Sequence, residues 1–150
     1  LQGKTIVLTK GTVHAEQLPQ IAQRRGLKID FIEAADHDES LQAVLTGKAD
    51  AFANDDVQLA GEIAQAKAGA ELRITGEFLT YADYALMLRR DDPEFAAVVR
   101  DAFEELNGSG RIRAIYRHWF QRPLPSGVNL NLPMSAHLEH VFQLQGLAAD

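Results

Sequence analysis

The feature that most constrains this chain is the alternation in its first half. Between Thr5 and Ile63, short β-rich runs and amphipathic helical stretches take turns three times over. Residues 5–8 (TIVL) form the compact apolar run of a buried strand. Thr9-Lys10-Gly11-Thr12 makes a turn that ends in a capping residue, and residues 13–25 read as a helix closed by Gly26. Pro19 lies inside that helix and predicts a kink or a late start, because proline has no N–H to donate. Leu27, Ile29 and Phe31 face one way and Lys28 and Asp30 the other, so residues 27–33 read as a half-buried strand.

Asp36 with Glu39 three residues on is a capping-box pattern. The helix it opens carries Leu41, Val44 and Leu45 as its apolar face, and Gly47 ends it. Residues 49–53 form a short strand, and Asn54-Asp55-Asp56 caps a helix holding Val57, Leu59, Ala60 and Ile63. Such alternation leads to an α/β layer with mostly parallel strands, since a parallel neighbour is reached only by a crossover.

The second half changes character. Residues 72–74 are a candidate for one more strand, and residues 84–88 (YALML) read as a strand. Asp92-Pro93-Glu94 starts a helix with Pro in its first turn, and Phe95, Val98, Val99, Ala102, Phe103 and Leu106 form a stripe at helical spacing. Asn107-Gly108-Ser109-Gly110 breaks it. A second helix carries Ile112, Ile115, Tyr116 and Trp119. Residues 123–132 are extended and punctuated by proline, and Ser135 caps a last helix with Leu138, Val141, Phe142 and Leu144. Phe95, Phe103, Tyr116, Trp119 and Phe120 are expected in the core.

A chain of 150 residues makes one domain or two small lobes. Its 46% hydrophobic and 24% charged residues are an ordinary globular balance. The net charge of −6 is interspersed, with no basic stripe, which argues against nucleic acid as a partner. Without cysteine there are no disulfides, thiolate metal sites or cysteine nucleophiles, which fits a bacterial cytoplasm or periplasm and does not choose between them. No apolar run approaches the roughly 20 residues that span a bilayer. No signal peptide is visible, and the opening on Leu1 rather than Met points to processing, truncation or design.

Three helix starts follow strand ends, at Gly11-Thr12-Val13, Asp36-His37-Asp38 and Asn54-Asp55-Asp56. Ligands of open α/β sheets bind beyond the carboxyl ends of the strands. The N–H groups and positive dipole end at Thr12 and Val13 suit a carboxylate or phosphate, although Gly-Thr before a helix is ordinarily just a cap. Asp55 could receive an ammonium group or simply cap its own helix. His37 could donate to an anionic ligand group or be a solvated loop histidine. His137 and His140 could form a metal face. No third ligand accompanies them, so two surface histidines are the simpler reading, and no metal or cofactor is expected. No nucleophile elbow, P-loop or complete dinucleotide fingerprint occurs.

Taken in order, a series of segments resembles the type II periplasmic solute-binding proteins that serve ABC importers of polar amino acids. It is most similar to the glutamate/aspartate-binding branch. The series runs through Gly3-Lys4-Thr5-Ile6-Val7, Thr9-Lys10-Gly11-Thr12, Asp36-His37-Asp38-Glu39-Ser40 and Gly47-Lys48-Ala49-Asp50-Ala51-Phe52. It continues with Asp55-Asp56, Leu59-Ala60-Gly61-Glu62, Tyr84-Ala85-Leu86-Met87-Leu88-Arg89, Asp91-Asp92-Pro93, Trp119-Phe120 and Asn129-Leu130-Asn131.

The resemblance implies two α/β lobes with a ligand clamped between them. Residues 1–82 would be a complete lobe two with half of the ligand site, and residues 83–150 the C-terminal segment of lobe one. The N-terminal part of lobe one would be missing, as in a truncated product. Thr12 and Val13 would offer N–H donors to ligand carboxylates, Asp55 would pair with the α-ammonium, and His37 would lie near the side-chain carboxylate. Val13 departs from the pattern, since relatives usually carry a second Thr or Ser there. The arginine clamp of lobe one falls in the missing segment, so the fragment alone would bind weakly or not at all.

The implied function is periplasmic, non-catalytic capture of an acidic amino acid, presented to an ABC permease in the membrane. Apolar surface left by truncation could drive a dimer. Two rivals stand beside it: a dehydratase on the same fold, using His37 with Asp36, Asp38 or Glu39 as acid–base groups, and the ligand-sensing domain of a receptor or sensor kinase.

Overall fold

Val7 and its two neighbours set the layering of the first half. Along strand β1 (Lys4–Thr9) successive side chains point to opposite faces. Ile6 and Leu8 therefore share one face while Val7, with 0% of its surface exposed, takes the other. Ile6 and Leu8 pack with Leu18 and Ile21 of helix α1 (Val13–Arg24). Val7 packs with Ala43 and Val44 of helix α2 (His37–Leu45) and with Ala49. Strands β2 (Ile29–Ala34) and β3 (Ala51–Phe52) flank β1 in the order β2-β1-β3, both parallel to it. The register pairs Ile6 with Phe31, and Val7 with both Ile32 and Phe52. The result is a three-layer α/β unit with one helix on each face of the sheet, followed by α3 (Asp56–Gln65).

The computed structural model describes residues 1–75, 78–81 and 85–144. The chain divides into two compact units, Leu1–Ile74 and Thr75–Asp150. In the first, the expected strands and helices from β1 to α3 form in the expected order. The helix around Pro19 starts at Val13 and runs on to Arg24, so the proline does not delay it. At the expected capping box only the forward bond follows the pattern: Asp36 Oδ1 accepts from Glu39 N–H at 2.8 Å, while Glu39 Oε2 accepts at 2.7 Å from Ala35 N–H, one residue before the cap. Gly26 and Gly47 end α1 and α2 with φ of +63° and +74°, a region that disfavours any side chain.

Asp50 ties the amino ends of β1 and β3 together. Lys4 Nζ donates to Asp50 Oδ1 at 2.9 Å, Thr5 N–H donates to Asp50 Oδ2 at 2.8 Å, and Asp50 N–H donates to Thr5 O at 2.8 Å. The Lys4 bond first, and the Thr5 N–H second, hold the Asp50 carboxyl below the usual carboxylate value.

The second unit holds helices α4 (Pro93–Gly108), α5 (Arg111–Phe120) and α6 (Ala136–Leu144). Asp92 caps α4, accepting from Phe95 N–H at 3.0 Å, with Pro93 in the first turn as expected. Gly110, at φ +66°, turns the chain from α4 into α5. Tyr116 stacks on Phe120 at 4.6 Å and its O–H donates to Pro133 O at 3.3 Å, while Leu132 N–H donates to Phe120 O at 2.9 Å. These contacts fasten the extended segment onto α5.

Three expectations fail in the region after α3. Residues 72–74 join no ladder, and of the expected strand at 84–88, Tyr84 lies outside the described residues while 85–88 join no ladder either. A β-rich sequence becomes a strand only beside a partner. No described strand runs alongside these residues, and Met87 is 98% exposed. The expected aromatic core of α4 and α5 is likewise open, with Phe95, Phe103 and Trp119 exposed and neither helix burying a residue. An amphipathic stripe buries itself only against a second surface, and among the described residues none covers this one.

Candidate functional site

The strand order reverses at β1, which leads to β2 on one side and is flanked by β3 on the other. In open α/β sheets, ligands bind beyond the carboxyl ends of the strands at such a reversal, which here means the ends of β1 and β3. Thr12 follows β1, Asp55 follows β3 and His37 follows β2. All four residues singled out from sequence therefore stand along one edge of the sheet, opposite the edge that Asp50 ties together.

At the start of α1, Thr12 is extended and its Oγ1 accepts from Ala15 N–H at 3.3 Å. Its own hydroxyl proton goes to Thr9 O at 2.7 Å, and its N–H goes to the same carbonyl at 3.3 Å. Thr12 is thus occupied as a cap. The N–H groups of Val13 and His14 are the ones that no described residue takes, as the opening turn of a helix requires. Val13 is 53% exposed, with its isopropyl group at the rim.

Asp55 precedes α3 in extended conformation and makes no side-chain bond to cap that helix. Its carboxylate instead has His14 Nε2 at 3.4 Å from Oδ1. The first turn of α1 and the residue after β3 are thereby brought face to face. His14 has no counterpart in the sequence reading. Its position two residues after a cap Thr was the available clue, and nothing local tied it to Asp55.

His37 is half-buried at the first position of α2. Its Nδ1 lies 2.7 Å from Thr9 Oγ1, and its ring packs against Phe52 at 6.1 Å between centroids, tilted by 43°. Thr9 and Ser40 are both buried, with their hydroxyl oxygens 2.9 Å apart. His37 is accordingly an anchored ring and not a loose loop side chain. The flanking Asp36 and Glu39 accept from backbone N–H groups around the start of α2. Among the described residues no three His, Cys, Asp or Glu side chains come together as metal ligands.

Against this geometry, residues 13–122 match the model of the bacterial extracellular solute-binding proteins, family 3. The chain belongs to that family. The L-glutamate/L-aspartate-binding protein of Pseudomonas aeruginosa is 36% identical over 143 residues, covering 95% of this chain and 47% of that protein. The glutamate/aspartate import solute-binding proteins of Escherichia coli K12 and Salmonella typhimurium LT2 are 32% and 33% identical over 144 residues, each covering 95% of this chain and 48% of theirs. This family 3 chain thus spans about half the length of the curated relatives it matches. No described helix is long and apolar enough to cross a membrane. The strand edge described above brings together donors at one helix start, a carboxylate across from it, and an anchored imidazole.

Proposed function

We propose that this chain carries half of the ligand site of a periplasmic binding protein that captures an acidic amino acid and delivers it to an ABC permease. The observation that carries the reading is the approach of His14 to Asp55 at 3.4 Å. It sets the N–H donors of Val13 and His14 opposite a carboxylate, and an α-amino acid has one anionic and one cationic end to satisfy. A charge-assisted bond at each end is stronger than a neutral one. His37 stands ready for a second carboxylate, which supports glutamate or aspartate over a neutral amino acid. The names of the relatives point the same way.

On this reading the protein binds without chemistry. Asp36 and Glu39, the carboxylates nearest His37 in sequence, serve helix capping, which disfavours a dehydratase built on them. Residues 1–82 act as lobe two and residues 83–150 as the returning segment of lobe one. Closure of the two lobes on the ligand would produce the form that a permease recognises. The exposed Phe95, Val98 and Trp119 support burial against further polypeptide, a second copy included. Light scattering of this chain checks that last point: a monomer at all concentrations would remove self-association.

The test is calorimetry with glutamate, aspartate and glutamine on the polypeptide that contains this segment. Saturable binding of the acids that disappears in Asp55→Ala is expected. Unchanged affinity in that variant would sink the role of Asp55.

A further inference from the structure

The hydrogen bonds around His37 have a direction. Ser40 Oγ donates to Asp36 O at 2.9 Å, and a backbone carbonyl can only accept. A serine hydroxyl has one proton, so Ser40 Oγ must accept in its other short contact, at 2.9 Å from Thr9 Oγ1. Thr9 spends its single proton there. It must then accept at 2.7 Å from His37, which makes His37 Nδ1 an N–H donor. The chain of bonds runs His37 Nδ1–H to Thr9, Thr9 O–H to Ser40, and Ser40 O–H to the Asp36 carbonyl. Its direction does not depend on the charge of the ring, because Nδ1 carries a proton in both states.

We propose that Thr9 and Ser40 are positioning residues that hold His37 as the Nδ1–H tautomer and so make Nε2 the one ring atom offered to a ligand. This rests on the reading of His37 as a ligand group. It adds what that group can do. A neutral ring presents a lone pair at Nε2, which suits a donor such as a side-chain amide. A carboxylate there needs a second proton on the ring, and the bond it then receives is charge-assisted. Choice between acid and amide ligands thus falls on one nitrogen, whose partner nitrogen is tied off by a buried hydroxyl pair. Phe52 lies beside the ring, its centroid 6.1 Å away and tilted by 43°.

The tautomer is readable by two-dimensional NMR of the chain labelled with 15N-histidine. In the neutral ring, His37 should show a protonated Nδ1 and a bare Nε2, the reverse of the form that free histidine prefers. Thr9→Val, close in shape and suited to a strand, should release the ring to the Nε2–H form, and Thr9→Ser should restore Nδ1–H. Ser40→Ala should weaken the preference by a separate route. On addition of glutamate to the polypeptide that contains this segment, the Nε2 signal should move in the wild type and in Thr9→Ser. In Thr9→Val binding should weaken by roughly tenfold, the worth of one buried hydrogen bond. An Nε2–H ring in the wild type, or a Thr9→Val ring still held as Nδ1–H, overturns the proposal. Glutamate titrating His37→Gln as it does the wild type would instead overturn the ligand role of His37, a failure distinguishable from the first because the wild-type ring would still read as Nδ1–H.

Discussion

His14 Nε2 stands 3.4 Å from Asp55 Oδ1, across the gap between the first turn of α1 and the loop after β3. An aspartate before a helix ordinarily spends its carboxylate on the helix it precedes. Asp55 does not, and its side chain is turned toward another element.

The consequence is a separation of binding from stability. Asp55→Asn should weaken acidic amino-acid binding by more than tenfold, since a paired charge lost from a site costs about 2–5 kcal/mol. Its effect on unfolding should stay near about 0.5 kcal/mol, as for a substitution that breaks no cap. Asp36→Ala is the control, because it removes a cap bonded at 2.8 Å and should cost about 1 kcal/mol. Urea melts of the two variants beside calorimetry of each would decide it. Equal destabilisation would return Asp55 to a capping role.

Val13 is the second test. Its side chain is exposed, so Val13→Thr should be neutral for folding and should add a hydroxyl beside the free N–H groups of α1. Affinity for glutamate or aspartate should rise by a few-fold, in keeping with about 1 kcal/mol for one hydrogen bond. A titration in which Thr at this position leaves affinity flat would mean that the ligand carboxylate lies elsewhere.

Asp50 predicts an acid limb in stability. Its carboxyl is held below its ordinary value in the folded protein by Lys4 and by Thr5 N–H. The stabilisation is therefore complete above the ordinary aspartate range and is lost as pH falls through the lowered folded value. Asp50→Asn should remove that part of the acid dependence and bring the two proteins together at low pH. Melting temperatures followed from neutral to acid pH would show it. Curves that stay parallel to the lowest pH would contradict the assignment.

Leu8 tests the layering. It is almost fully buried between β1 and α1, so Leu8→Ala should cost about 2–5 kcal/mol. Phe103→Ala, on an open helix face, should cost far less. Circular dichroism melts that rank them the other way would mean that the α4 stripe is covered in solution.

Much of this was legible along the chain because it depends on near neighbours. Alternation of Ile6, Val7 and Leu8 with amphipathic stretches dictates strands buried on both faces. Asp36 followed by Glu39 dictates a helix start, and Gly26 and Gly47 dictate helix ends. The helix starts at Thr12, His37 and Asp55 could be named as site candidates for the same reason. Residues 84–88 and the aromatic stripe of α4 were misread because a strand or a buried face needs a partner surface, and local pattern carries no information about whether one is there.

What side chains meet across the sheet was decided only in three dimensions. Thr9 and His37 are 28 positions apart, and Thr9 and Ser40 31. They touch because β1 lies between β2 and β3 in a register that brings the start of α2 over the end of β1. The same strand order sets His14 against Asp55. Residue type and spacing chose which groups stand at the carboxyl edge of the sheet. Strand order and register chose their partners, because a hydrogen bond or an ion pair depends on distances of a few ångströms that only the packed chain defines.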